Sequence, residues 1–230
     1  MAAVVSTTAR LRPVLSRDTI ADTALRMTLE QPTMPFTLAR LGAELSADPT
    51  AIYRHYRSRD ELIRDLGDRL FGEVAEMAVI TDDWIQSMRN VASSVRTVLL
   101  RRPALAADLG TRFTGGPNER RGIVILRGIL QGAGFPDDDI PHHMRAFGEL
   151  MLAEVVMTAT LLSMPSDAQQ FELDVSQSLY GRVAGDSLEY EDRTFGWILD
   201  TYLDGLQVQL RRSQHHTDGA ADIHHERGEQ

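Results

Sequence analysis

The chain has 230 residues, 43% of them hydrophobic, no cysteine and a formal net charge of −9. That length suits one large domain, or a small one joined to a larger one. The missing cysteine excludes disulfides, thiol catalysis and thiolate metal sites, and no apolar run reaches the ~18–20 residues that cross a bilayer.

In chain order, residues 1–15 show no periodicity and carry Arg10, Arg12 and Pro13, which predicts a flexible arm. Ser16 can cap a helix to about Glu30, with Ile20, Ala24 and Met27 along one stripe. Pro32 and Pro35 end it. Thr37 offers the cap of a short helix reaching Leu45, Ser46-Ala47 a tight turn, and Asp48-Pro49 the start of another short helix to about Tyr56. Ser58-Arg59-Asp60-Glu61 reads as a capping box, Ser58 bonding forward and Glu61 back, opening a long helix through Met77. Helices follow at about 82–101, 104–112, 118–133, 137–164, 167–183 and 190–213, separated by prolines and glycines. No window alternates as a strand does. The polar stretch 214–230 is expected to be a disordered tail.

The fold class this predicts is all-α: three N-terminal helices of helix-turn-helix size at 16–62, then a larger helical domain at 63–213. Net acidity argues against a nucleic-acid partner until the charge is divided. Residues 1–70 hold 10 Arg and 9 Asp or Glu, a balance of +1, and 71–230 hold the remaining 14 Arg and 24 acids, a balance of −10. All the basic residues are Arg, which makes planar, bidentate contacts to phosphate and guanine. Arg54, His55, Arg57 and Arg59 fall in one ten-residue stretch without an acidic residue. On a helix starting at Pro49, Ile52 and Tyr56 share an inward face against Leu41, Leu45 and Ile20. Thr50, Ala51 and Arg54 then lie at the end that meets base edges, with Arg54 able to read guanine and Thr50 or Ala51 a thymine methyl. The amide end at Thr37 suits a phosphate.

The run Phe36–Leu62, above all Ile52-Tyr53-Arg54-His55-Tyr56 followed by Ser58-Arg59-Asp60-Glu61-Leu62, resembles the DNA-binding signature of TetR/AcrR-family regulators. It departs from that signature twice: Ser46 stands where the turn usually has glycine, and Gly42 where the second helix usually has alanine. The resemblance implies phosphate contacts at Tyr53, His55 and Arg59. It also implies double-stranded DNA with a palindromic operator as partner, a homodimer, and an unidentified small-molecule effector held in the helical body. Met88, Phe113, Leu126, Met144, Phe147 and Met151 are the expected effector lining. Met151 and Val155 on one apolar helix, with Ile198, Tyr202 and Leu206 on the last, are the expected dimer face, two helices per chain pairing into a four-helix interface.

The expected function is a ligand-responsive transcriptional regulator, a repressor released by its inducer. Activation, co-repressor dependence or protein scaffolding are the alternatives. No enzyme activity, cofactor, metal site or membrane partner is expected. Residues 1–8 lack the charged start and apolar core of a secretory signal, so the expected location is the bacterial cytosol, with the nucleoid.

Overall fold

A computed structural model describes residues 15–110, 112–181 and 187–226, with 187–188 and 215–226 described as backbone alone. Residues 1–14 of the expected arm and 227–230 of the expected tail lie outside that range. Ten helices make up the described residues, with no strand among them. The first three are α1 (Arg17–Glu30), α2 (Leu38–Glu44) and α3 (Pro49–Ile52), and α4 (Arg59–Met77) leads from them into the body. The body consists of α5 (Trp84–Leu100), α6 (Pro103–Leu109), α7 (Pro117–Ala133), α8 (Ile140–Leu162), α9 (Ser166–Tyr180) and α10 (Ser187–Glu226).

The helix starts obey short-range chemistry. Ser16, Thr37, Asp48 and Ser58 each sit in extended conformation and accept a backbone N–H two or three residues on, from Thr19, Arg40, Thr50 and Glu61. The expected capping box closes differently. Glu61 Oε2 accepts the amide of Arg57 at 2.6 Å rather than that of Ser58, while its Oε1 holds Arg17 at 2.7 Å. A carboxylate drawn toward a guanidinium settles one residue short of the ideal return bond.

Regular α3 stops at Ile52, and the chain reaches Tyr56 through further turn bonds, His55 N to Ile52 O at 2.9 Å and Tyr56 N to Ile52 O at 3.1 Å. α10, expected to end near 213, runs on to Glu226, because no proline follows Pro165 and nothing else removes a backbone donor.

Two apolar clusters hold the molecule. The first joins Ile20, Leu41, Ile52 and Tyr56 of the head to Leu62 and Leu66 of α4, Val98 of α5, Leu105 and Leu109 of α6 and Val155 of α8. Burying one such side chain contributes roughly 1.5–3 kcal/mol, so head and body are fastened by shared packing across the 62/63 boundary. The second cluster lies deeper in the body, between α5, α7, α8 and α10.

Polar contacts reinforce the junction of head and body. Arg102 is buried, pairs with Glu73 at 3.1 Å and donates to the Leu25 carbonyl, and the Ala104 amide donates to Pro32 O at 3.1 Å. The start of α7 has no cap of its own. Asp68, buried on α4, supplies one across the interface by accepting from the amides of Glu119 at 2.9 Å and Asn118 at 3.3 Å. Gly116 makes the approach possible, since a Cβ there would stand 2.2 Å from the Asp68 carboxyl.

Candidate nucleic-acid interface

The α2–turn–α3 unit is built around two small features that depend on each other. A Cβ on Gly42 would come within 2.8 Å of the Ala47 carbonyl and 3.2 Å of the Pro49 ring, so the two short helices approach closely only over a glycine. The turn between them puts Ser46 at φ +49°, the left-handed region where glycine is usual. Both departures from the family pattern are thus seen in the backbone, the first as a requirement and the second as strain.

The inward face forms as the periodicity requires. Ile52 and Tyr56 are buried against Leu41 and Ile20, with Leu45 partly buried beside them. The Tyr56 hydroxyl donates to Asp65 at 2.6 Å, the Arg17 guanidinium lies 4.1 Å above its ring, and Arg17 also donates to the His55 carbonyl at 2.9 Å. Burial, then the bond to Asp65, pushes the Tyr56 phenol well above its ordinary range, so it stays a neutral donor. α1 and α4 therefore fix the angle at which residues 50–55 leave the body.

The outward face presents Thr37, Thr50, Tyr53 and Arg54 exposed, with Ala51 and His55 half-buried. Thr50 is already engaged: its amide and its hydroxyl both donate to Asp48, at 2.8 and 2.6 Å. Those bonds, the hydroxyl's first, hold the Asp48 carboxyl below its usual range. The Thr50 methyl stays available for an apolar base contact, whereas its proton is committed.

The head's arginines divide sharply. Arg17, Arg26, Arg64 and Arg69 are paired with carboxylates at 2.6–2.8 Å. Arg59 turns inward, gripping Asp108 of α6 and donating to the Phe36 carbonyl at 3.1 Å. A phosphate would have to compete with Asp108 for it. Among the described residues Arg54 and Arg57 enter no ion pair, and both are exposed beside the outward face. Sequence periodicity could not separate Arg57 from Arg59, because the carboxylate that captures one of them lies forty-nine residues downstream.

In the body, Met88, Leu126, Met144, Phe147 and Met151 come together in the second cluster. Phe113 does not join them. It is 59% exposed, with the Arg145 guanidinium 5.9 Å above its ring, because the turn after α6 carries it outward. The residues expected in the dimer face lie in the core or at its margin. Met151, Val155 and Leu206 are buried within the chain, and Ile198 and Tyr202 pack partly into the second cluster, the Tyr202 hydroxyl donating to His143 O at 2.9 Å. The stripe strong enough to be seen in the sequence is the one the chain uses for its own core. What α8 and α10 expose instead is Met157, 74% accessible, with Trp197, 78%, and Val208, 44%.

A helix-turn-helix head on an all-helical body is the architecture of a class of DNA-binding regulators. The TetR-family protein ActR of Streptomyces coelicolor superposes on it with a TM-score of 0.67 at 21% identity, covering 86% of this chain and 98% of that one. ActR has also been solved with actinorhodin. A single-residue variant of TetR from Acinetobacter baumannii, in complex with minocycline, superposes with a TM-score of 0.64 at 21% identity over 84% of this chain and 93% of that one. An HTH-type transcriptional regulator of Saccharopolyspora erythraea is 28% identical over 131 residues, 57% of this chain and 56% of that protein, so the match spans little more than half of either. No family model matches the chain. The chain has the fold of the TetR-family transcriptional regulators.

Proposed function

We propose that the chain is a ligand-responsive transcriptional regulator that binds a palindromic operator as a homodimer and acts as a repressor released by a small-molecule inducer. The observation that carries this is the outward face of residues 50–57. Tyr53, Arg54 and Arg57 stand exposed there, and neither guanidinium enters an ion pair, whereas the other arginines among the described head residues are held by groups of the chain itself. Arg54 serves to read a guanine, the Thr50 and Ala51 methyls a thymine, and Tyr53, His55 and Arg57 the phosphates on either side. Thr37 at the start of α2 adds a further phosphate contact, and Arg59 one only after release from Asp108.

One helix of this size reads too few bases to be selective, so a two-fold pair of heads on a palindrome is required. Met157, Trp197 and Val208 supply the apolar face for that pairing. Release follows if the effector prefers a state in which the two heads are misplaced, lowering operator affinity by the difference in binding energy, typically ~1–3 kcal/mol. The setting for this chemistry is the cytosol, with the nucleoid.

The experiment is selection of genomic fragments bound by the full chain, followed by footprinting and a salt titration of the selected site. The expected result is a two-fold symmetric footprint whose affinity falls steeply with salt. A chain that binds no fragment in a salt-dependent way overturns the proposal.

A further inference from the structure

Where α5, α8 and α10 meet, the body buries an ion pair that is only half made. Arg96 of α5 reaches Glu154 of α8 through Nε alone, at 3.4 Å, and uses Nη1 on Asp192 of α10 at 2.7 Å. Thr158, one turn along α8, is 1% exposed and donates to Glu154 Oε1 at 3.1 Å. Glu191 of α10 faces the same hydroxyl. Two atoms are left over. Glu154 Oε2, on a residue 7% exposed, and Arg96 Nη2 are the buried side-chain polar atoms without a partner among the described residues.

A guanidinium and a carboxylate that meet edge-on normally close with two parallel bonds. This pair leaves its second donor and second acceptor open, in a place where unmet polar atoms are costly. The charges do not balance either, since three carboxylates surround one guanidinium. Burial pushes both the Glu154 and the Glu191 carboxyls upward, against the opposing pull of Arg96 and the Thr158 hydroxyl, and each has a neighbouring carboxylate that adds to the rise. The cluster therefore lacks positive charge and a donor for Oε2, and it offers a donor at Nη2.

Its surroundings suit the rest of a small molecule. The Arg96 guanidinium lies 5.0 Å over the Phe195 ring, and Phe195 belongs to the second cluster together with Met88 and Met151. Methionine side chains repack around apolar guests at little cost. We propose that Glu154, with Glu191 and Arg96, forms the polar anchor of the effector site and takes the ammonium group of an apolar, aromatic amine. This rests on the ligand-responsive function proposed above and gives that effector a chemical class. Glu154 Oε2 accepts the ammonium N–H, the carboxylates balance its charge, and the aromatic body lies among Phe195 and the methionines.

The test uses three probes with one aromatic body and different heads: 1-naphthylmethylamine, 1-naphthylmethanol and 1-naphthoate, titrated by fluorescence into the full chain near neutral pH. The expected order is amine tightest, about tenfold or more over the alcohol, with the carboxylate weakest. Glu154→Gln is expected to bring the amine-to-alcohol ratio close to one. Glu191→Gln is expected to lower the ratio partway, and it provides the second variant should the first fold poorly. Equal binding of the three heads, a preference for the carboxylate, or an amine preference that survives Glu154→Gln would each overturn the anchor. So would no binding of any probe, which means that the gap holds a buried water only. Salt-dependent DNA binding by the same preparation is scored separately. Its loss with amine binding intact sinks the regulator proposal and spares the anchor, and the reverse pattern does the opposite.

Discussion

The head and the body handle arginine in opposite ways. Among the described head residues the guanidiniums lie near the surface and most are neutralised by carboxylates; Arg40 is held instead by the Pro35 carbonyl and Gln31, while Arg54 and Arg57, at the outward end, enter no ion pair. In the body the telling guanidinium, Arg96, is nearly buried, and it is the carboxylates around it that are in excess. An unpaired cation in water costs little and is free to meet a phosphate. An unpaired acceptor in the interior is expensive and calls for a partner. The same side-chain chemistry is thus proposed to meet a polyanion outward in one half of the molecule and a cation inward in the other.

The contrast breaks most visibly if the outward face is blunted. Tyr53→Ala combined with Arg54→Ala is expected to weaken operator binding by about a hundredfold or more, at roughly 1–3 kcal/mol for each lost contact. Thermal unfolding should be nearly unchanged, because both side chains are exposed. A double variant that binds its operator as tightly as the parent at equal salt would show that the reading face lies elsewhere.

The next effect in size concerns stability and lies where the halves meet. Asp68→Ala removes the carboxylate that caps α7 from α4 and strands the amides of Asn118 and Glu119. A loss of about 1–3 kcal/mol is expected, a fall of several degrees in Tm for a chain of this size. An unchanged Tm would mean that water caps α7 just as well.

This interaction also marks the limit of what the sequence discloses. The caps at Ser16, Thr37, Asp48 and Ser58 are legible because donor and acceptor lie within three residues, and the inward stripe Ile52–Tyr56 because helical periodicity is local. Asp68 finds its amides fifty residues away, Arg59 finds Asp108 forty-nine away, and Arg96 finds Glu154 fifty-eight away. No spacing rule connects such partners, so the phosphate contact expected at Arg59 and the outward role left to Arg57 could not be told apart. The dimer face is illegible for a different reason: periodicity finds the strongest apolar stripes of α8 and α10, which carry the chain's own core, and does not separate them from the stripe with Met157 and Trp197 in solvent.

Arg57 and Arg59 therefore make a matched pair. Arg57→Ala is expected to lower the slope of log affinity against log salt by about one, the signature of one phosphate contact, with Tm unmoved. Arg59→Ala should lower Tm and leave the slope nearly intact, since its guanidinium ties α4 to α6 through Asp108. Reversed results would return Arg59 to the DNA face.

The smallest expected effect lies inside the head, in the turn between α2 and α3. Ser46 occupies the left-handed region at φ +49°, where a side chain costs free energy that glycine does not pay. Ser46→Gly relieves that strain but adds freedom to the unfolded chain, so the net gain should be about 0.5–1 kcal/mol, or a few degrees in Tm. Gly42→Ala should do the reverse although alanine favours helix, because its Cβ would meet the Ala47 carbonyl at 2.8 Å. The carbonyl is backbone and cannot swing aside as a side-chain tip would, so the turn itself must open and carry α3 with it. Gly42→Ala should therefore lower operator affinity as well as Tm, whereas Ser46→Gly raises Tm and leaves affinity unchanged. If both variants shift Tm alone, the angle between α2 and α3 is set by the Tyr56–Arg17–Asp65 contacts and not by the turn.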